Sequence, residues 1–219
     1  HQDPLVVGLA DPREAHDKGV LMKVVAFNGS ARKDGNTAIL VRRVFAELEA
    51  EGIETDLVQL HDKRFSGCTA CLKCAETRDN TCSGVKDDGL NDCVARMLEA
   101  DGIIIASPTY YANCTATTQA LMERAGYATR KSGNPLARKV GAAVVAARRG
   151  GAIHAFDSIN HWFLINEMLV VGSSYWSLGV GADKGDVEHD REGMAPMATP
   201  VPYTTPPLPQ TNSVYIYID

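Results

Sequence analysis

Four closely spaced cysteines constrain this chain more than any other feature of its sequence. Cys68, Cys71, Cys74 and Cys82 follow the spacing C-x2-C-x2-C-x7-C. A [4Fe–4S] cluster needs one thiolate for each iron, and ligands three residues apart on a curled loop can reach adjacent iron atoms. Structural zinc sites more often use two C-x2-C pairs that lie far apart in sequence. The spacing therefore favours one self-contained iron–sulfur cluster in the loop at residues 66–84, with zinc and unligated thiols as the alternatives.

The composition indicates one globular domain, with 219 residues, 45% hydrophobic residues, 22% charged residues and a net charge of −5. The acidic balance argues against a nucleic-acid surface. No apolar run is long enough to cross a bilayer, and residues 1–21 lack the pattern of a secretory signal. Clustered cysteines in a chain that is not exported indicate metal or redox chemistry. We therefore expect a cytoplasmic protein that binds neither nucleic acid nor a membrane.

A strand, a loop of small polar residues and a helix start form the first candidate binding site. Residues 23–27 are typical of a strand buried on both faces, and a helix with one apolar face follows the loop. Backbone N–H groups at the helix start, the hydroxyls of Ser30 and Thr37 and the guanidinium of Arg32 can bind a phosphate. The loop is neither a dinucleotide fingerprint nor a Walker loop. A plain turn capped by Asn36 or Thr37 is the alternative.

Strands and helices alternate along the rest of the chain, which predicts a parallel, doubly wound sheet. The helix after the cysteine loop is expected to be capped by Asp87 or Asp88. Ligands of such sheets bind beyond the carboxyl ends of the strands, where the strand order reverses. Three special loops are therefore expected to meet at one crevice. Further strands are predicted at residues 55–60, 101–107, 140–147 and 168–172.

The predicted domain covers residues 22–193, between two segments of different composition. Residues 1–21 are polar and aperiodic, and we expect an N-terminal extension there. Residues 194–219 are expected to form an irregular tail, because six of the ten prolines fall between Pro196 and Pro209 and argue against a closing helix. Residues 214–218 have strand composition and are expected to pair at a sheet edge.

The sequence resembles the flavodoxin-like NADPH-dependent FMN reductases and, within them, the iron–sulfur flavoproteins. The resemblance covers roughly residues 22–193 and depends on the four segments 28–37, 68–82, 107–111 and 185–193. It implies an α/β fold, namely a flavodoxin-like, doubly wound, five-stranded parallel sheet with an inserted cysteine-rich loop.

The resemblance also implies two cofactors, FMN and a [4Fe–4S] cluster ligated by Cys68, Cys71, Cys74 and Cys82. The first loop would hold the FMN phosphate, the loop after the third strand would line the isoalloxazine ring, and the loop after the fourth strand would complete the pocket. Arg148 or Arg149 would stabilise the reduced, anionic flavin. Cys114 is expected to be a packed thiol. The implied FMN residues are Ser30, Arg32, Asn36, Thr37, Pro108, Thr109, Tyr110, Tyr111, Ala112, Arg148, Arg149, Gly150 and Gly151.

The implied activity is that of an oxidoreductase that passes electrons from a one-electron donor, such as ferredoxin, through the cluster and FMN to a small acceptor. A homo-oligomer, either a dimer or a tetramer, is also implied. Three alternatives stay open: an NAD(P)H-dependent FMN or quinone reductase with structural zinc, a pure electron carrier, and a flavin dehydrogenase of a small biosynthetic acid. No side chain is singled out as catalytic, because the redox chemistry belongs to the cofactors.

Overall fold

The structure, a computed structural model, describes residues 22–199. These residues form six strands, six α-helices and one 3₁₀ turn. In chain order they are β1 (Lys23–Asn28), α1 (Asn36–Ala50), β2 (Glu54–Gln59), α2 (Lys73–Thr77), α3 (Leu90–Glu99), β3 (Gly102–Pro108), α4 (Ala116–Lys131), β4 (Val140–Ala147), α5 (Ala152–Ile165), β5 (Leu169–Val170), β6 (Leu178–Val180), the 3₁₀ turn (Asp186–His189) and α6 (Arg191–Met197).

The strands form one parallel sheet in the order β2-β1-β3-β4-β5, and β6 pairs with the far end of β4. Every strand pair is parallel, as the alternation of strands and helices predicts. The chain moves outward from β1 to β2 and then returns to the other side of β1 with β3. The strand order therefore reverses between β1 and β3, which is where a flavodoxin-like sheet binds its ligand.

Both faces of the sheet are covered by helices, because the central strands are apolar on both sides. On one face Val25, Phe27 and Ile103 pack against α3, α4 and α5. On the other face Ala26 and Ile104 pack against α1, with Val187 and Met197 from the end of the described chain. This three-layer arrangement is the predicted doubly wound α/β fold.

The fifth strand position differs from the prediction, because two short strands share it. A single strand at residues 168–172 was expected, but β5 contains only Leu169 and Val170 and pairs with the start of β4, while β6 pairs with the end of β4. The side chains of β5 are both exposed. An edge position with little burial supports only a short strand, since side-chain packing supplies most strand stability.

The end of the described chain also differs from the prediction. Helix α6 crosses the expected domain boundary at residue 193 and contains Pro196 near its C-terminus. Asp190 caps its N-terminus by accepting a hydrogen bond from the Gly193 N–H at 3.0 Å. The expected extension at residues 1–21 and the expected edge strand at residues 214–218 lie outside the described residues. Among residues 22–199, no helix is long and apolar enough to span a membrane.

Candidate FMN and iron–sulfur sites

The loop between β1 and α1 lies tightly against the start of α4. The Thr115 hydroxyl donates a hydrogen bond to the Gly29 carbonyl at 2.8 Å, and the Gly29 N–H donates to the Ala106 carbonyl at 2.7 Å. A Cβ atom added at Gly29 would lie 1.7 Å from the Thr118 hydroxyl oxygen. Only glycine fits there, so this loop can lie close to α4 at the position where the strand order reverses.

The start of α1 is open for an anion. Gly35 is the N-cap, no side chain caps the helix, and the first turn contains no acidic residue. The predicted caps Asn36 and Thr37 are therefore wrong as caps. Unpaired backbone N–H groups and the helix dipole suit such a terminus to binding a phosphate.

The predicted phosphate residues occupy different surroundings around this helix start. Thr37 is buried, Arg32 is exposed, and the Ser30 hydroxyl accepts a hydrogen bond from the Arg32 N–H at 3.1 Å. The Asn36 side chain bonds the Asp183 carbonyl and the Gly185 N–H, both at 2.9 Å. Asn36 thus joins the helix start to the 183–185 loop, and its predicted contact with a phosphate remains a prediction.

The loop after β3 forms a tight, strained turn. Tyr110 and Asn113 exchange two backbone hydrogen bonds of 2.8 and 3.0 Å. The residues between them, Tyr111 and Ala112, both have positive φ angles, of 49° and 60°. Left-handed backbone at residues other than glycine is costly and is concentrated at ligand sites.

This turn presents both tyrosines to solvent. Tyr110 is 51% exposed and Tyr111 is fully exposed, so neither ring belongs to the core. Exposed aromatic rings beside a cleft are suited to stacking against a planar ligand. Cys114, just beyond the turn, is buried as predicted, and burial raises the pKa of its thiol to about 11.

Thr109 supplies a direct sign of a missing partner at this site. Its hydroxyl oxygen is buried and has no hydrogen-bond partner among the described residues. A buried hydroxyl without a partner costs free energy, so such groups usually bond a ligand or water. Thr109 directly follows β3, and its predicted contact with the flavin remains a prediction.

The loop after β4 contacts the tyrosine turn directly. A Cβ atom added at Gly151 would lie 2.8 Å from the Ala112 Cα atom, and Gly151 has a φ of 85°, which favours glycine. Arg148, Arg149 and Gly150 are exposed on this loop. The structure thus brings the second and third predicted loops together.

The four loop cysteines line one cavity, together with Arg124 and Tyr127 of α4. All four are free thiols; Cys68 and Cys71 are exposed, and Cys74 and Cys82 are half-buried. Among residues 22–199, no three or more Cys, His, Asp or Glu side chains converge closely enough to hold a single metal ion. Four thiols that line one cavity are the donor set that a [4Fe–4S] cluster needs.

The cysteine loop is curled by its backbone and fixed by α4. Ala70 and Leu72 both have left-handed backbone, with φ angles of 52° and 59°. The Cys68 N–H donates to a Glu123 carboxylate oxygen at 3.2 Å, and the Cys82 N–H donates to the Asn91 side chain at 2.8 Å. The loop therefore has a defined shape although it lies outside the core.

Gly84 leaves room for one of the four thiols. A Cβ atom there would lie 2.3 Å from the Cys71 sulfur. The backbone N–H of Lys73 and the Thr69 hydroxyl both lower the pKa of the Cys71 thiol. Burial raises the pKa of the Cys74 thiol, and the neighbouring Cys82 raises it further. A metal would reverse that second effect, since positive charge favours thiolates.

Three residues of the cysteine site were missed by the sequence analysis: Asp88, Glu123 and Arg124. Asp88 was predicted as a helix cap, and its carboxylate does accept a hydrogen bond from the Leu90 N–H at 3.2 Å, although the N-cap position is Gly89. Its second carboxylate oxygen pairs with Arg124. Charged residues on a helix usually face solvent, so no local pattern distinguishes Arg124 from a surface arginine.

Comparison with known proteins places the chain among flavin-dependent reductases. The family described as NADPH-dependent FMN reductase matches residues 22–183. An iron–sulfur flavoprotein from Methanocaldococcus jannaschii is 37% identical over 180 residues, which cover 79% of this chain and 90% of the relative. One from Methanosarcina thermophila is 34% identical over 175 residues, covering 79% of this chain and 88% of the relative.

Solved structures share the fold at low sequence identity. An NAD(P)H:quinone oxidoreductase from Methanothermobacter marburgensis aligns with a TM-score of 0.62 at 11% identity, covering 81% of this chain and 96% of that one. The Trp repressor binding protein from Bacillus subtilis aligns with a TM-score of 0.58 at 15% identity, covering 80% and 95%. These similarities support the flavodoxin-like architecture alone.

Proposed function

Because the chain belongs to the NADPH-dependent FMN reductase family, and within it to the iron–sulfur flavoproteins, we propose that it is an FMN- and [4Fe–4S]-containing oxidoreductase that passes electrons from a one-electron donor to a small acceptor. The observation that carries the proposal is the shared cavity of Cys68, Cys71, Cys74 and Cys82. This cavity lies against the same helix, α4, whose N-terminus holds the phosphate loop. When bound, FMN exchanges one or two electrons and the cluster one electron at a time, so the pair couples single-electron flow to two-electron reduction.

The residues at the sheet edge fit FMN. The uncapped start of α1 would bind the phosphate, and the orphaned Thr109 hydroxyl would bond the ring system. The exposed rings of Tyr110 and Tyr111 would cover the flavin and exclude water from it. Arg148 or Arg149 would place positive charge beside the reduced ring.

The four cysteines fit a cluster better than a structural zinc. Two relatives of this chain are named iron–sulfur flavoproteins. The four thiols line a common cavity, and the Arg124 side chain donates a hydrogen bond to Cys82 at 3.3 Å. Donors to cysteine sulfur are a feature of iron–sulfur sites.

The donor, the acceptor and the assembly are further parts of the proposal. Ferredoxin, or a protein like it, is the proposed one-electron donor, and a homo-oligomer is the proposed assembly. Four exposed apolar side chains near β5 support self-association, because contiguous apolar surface favours contact with another protein surface. They are Leu164, Ile165, Leu169 and Val170.

Direct reduction by NAD(P)H is a second candidate route, favoured by the family description. The two routes differ in the electron source that the protein accepts. Under anaerobic conditions, reduced ferredoxin should bleach the flavin of the proposed relay in the absence of NAD(P)H. A flavin that NAD(P)H reduces rapidly, and that ferredoxin does not reduce, would favour the second route.

A single substitution tests the assignment of the cluster. Cys71→Ser should remove most iron and inorganic sulfide from anaerobically purified protein, because serine replaces one of four thiolate ligands. FMN content should stay close to one per chain, since Cys71 lies on the exposed loop and not at the phosphate site. The measurements are iron, sulfide and flavin counts with a visible spectrum.

Cys93→Ser is the matched control, because Cys93 is a buried core thiol on α3. Its iron and sulfide contents should equal those of the wild-type protein. Unchanged iron in Cys71→Ser, or stoichiometric zinc in place of iron in the wild type, would refute the cluster.

A further inference from the structure

Arg124 is the largest fully buried side chain among residues 22–199. It is 1% exposed and projects from the middle of α4 toward the cysteine loop. Its Nε–H donates to the Cys82 sulfur at 3.3 Å, and its terminal nitrogens donate to the Val85 carbonyl at 3.2 Å and the Ser66 carbonyl at 3.4 Å. Asp88 completes the set with an ion pair.

This arrangement satisfies the buried charge and still directs it at one sulfur. Burial by itself would lower the pKa of Arg124, but the hydrogen bonds that Arg124 donates to Asp88 and Cys82 outweigh that effect and raise it. The guanidinium therefore stays charged at every pH at which the protein is folded. The backbone carbonyls and Asp88 hold the side chain in place, and the Nε–H is left for the thiolate.

A buried donor to a ligand sulfur has a predictable effect on a cluster. One-electron reduction adds negative charge that is shared with the thiolate sulfurs. A positive group at hydrogen-bond distance stabilises the reduced form more than the oxidised form, and low local dielectric strengthens that preference. A carboxylate beside the positive group weakens this stabilisation of the reduced form.

We propose that Arg124 is a positioning residue that raises the reduction potential of the cluster through its hydrogen bond to Cys82, and that Asp88 holds Arg124 in place and moderates its charge. This inference depends on the proposed function, since it requires a cluster at the four cysteines. It adds a means by which the chain sets the direction of electron flow between its two sites.

Three variants test the proposal by the sign of the shift in potential. In Arg124→Met/Asp88→Asn both charges are removed together, so no unpaired buried charge is left. The donor to Cys82 is lost, together with the hydrogen bonds to the Val85 and Ser66 carbonyls. The equilibrium constant for reducing its cluster with a fixed one-electron mediator should fall about tenfold, the usual size for a hydrogen bond to a charged group. Asp88→Asn removes the negative charge beside Arg124 and keeps the arginine, so the reduction potential of the cluster should rise in this variant. Arg130→Met, on the same helix but bonded to the Ile165 carbonyl, should leave the potential unchanged.

The measurement is an anaerobic redox titration followed by the visible and electron paramagnetic resonance signals of the cluster. Iron and sulfide counts, with chemical unfolding of the cluster-free variants, show whether each variant is loaded and folded. Opposite shifts in the double variant and in Asp88→Asn support the proposal. Three outcomes would show that Arg124 is only a structural support. The loaded clusters could keep the wild-type potential, the two variants could shift the potential in the same direction, or cluster could be lost while the molecules that still hold a cluster keep the wild-type potential. Wild-type protein without iron and sulfide would instead overturn the proposed function as well.

Discussion

At the residue scale, the Thr109 hydroxyl is the part of the proposed flavin site that one substitution can test. The described residues provide it with no partner, although its oxygen is buried. Thr109→Val keeps the shape and removes the hydroxyl. Cofactor-free protein should be more stable by about 1 kcal/mol, because the cost of the unpaired group disappears. FMN should bind up to about tenfold more weakly, because the flavin loses one hydrogen bond.

Chemical unfolding and flavin fluorescence titration measure the two effects, and Thr129→Val is the matched control. The Thr129 hydroxyl is buried but satisfied, because it donates to the Ala125 carbonyl at 2.8 Å. Its loss should destabilise the cofactor-free protein and leave FMN affinity unchanged. Equal FMN affinity in Thr109→Val and the wild type would show that the hydroxyl does not face the flavin.

The cysteines could be predicted as ligands from spacing alone, whereas Arg124 could not. Spacing is a local property, and the first three cysteines lie within seven residues. The partners of Arg124 are distant in sequence: Asp88, Cys82 and Ser66 lie 36, 42 and 58 residues before it. Only the fold brings such residues together, so no periodicity or motif could identify them.

At the element scale, the uncapped start of α1 is a second mark of an anion site. Gly35→Asp would place a carboxylate where the phosphate is proposed to bind. Compared with Gly35→Ala, this variant should stabilise the cofactor-free protein by about 1 kcal/mol, because the carboxylate caps free N–H groups. It should weaken FMN binding at least tenfold through charge repulsion.

Riboflavin, which lacks the phosphate, distinguishes the two effects. Its affinity should be the same in Gly35→Asp and Gly35→Ala, as measured by fluorescence titration. The alanine variant also controls for crowding, because a Cβ at this position would lie 3.0 Å from the Arg32 Cβ. Equal weakening of FMN and riboflavin would mean that the helix start does not hold the phosphate.

Four strands lie close to their predicted positions, and three of these have continuous apolar sequence. β1, β3 and β4 are continuous apolar runs, which can be recognised in the sequence without tertiary information. β6 was missed because three residues show no period. Helix α4 runs from Ala116 to Lys131, and Gly126 within it permits Trp162 of α5 to pack closely against it. This contact depends on a neighbouring helix and not on local propensity.

At the scale of the whole molecule, the cysteine loop lies at the margin of the hydrophobic core, against which its Cys82 packs while only partly buried. From His61 to Gly89 no residue is buried, although Leu60 and Leu90 on either side are. Anaerobic removal of iron with a chelator should therefore leave the far-ultraviolet circular dichroism and the FMN content almost unchanged. Loops outside the core contribute little to global stability.

Alkylation after chelation locates the exposed thiols. Iodoacetamide at pH 8 should modify the four loop cysteines and spare Cys93 and Cys114, as counted by mass spectrometry. Burial raises the pKa of both spared thiols to about 11, so only about one molecule in a thousand carries each thiolate at pH 8. Rapid modification of all six cysteines, or loss of helical signal on chelation, would mean that the loop is needed for the fold.

Helix α4 contacts the loop between β1 and α1 through Thr115 at its start, and it contacts the cysteine loop through Arg124. Nine residues of α-helix span about 14 Å. If both cofactors bind as proposed, this helix is a rigid connection between the two loops of one subunit. Substitutions in either loop could then change the redox partner while the separation of the two loops stays the same.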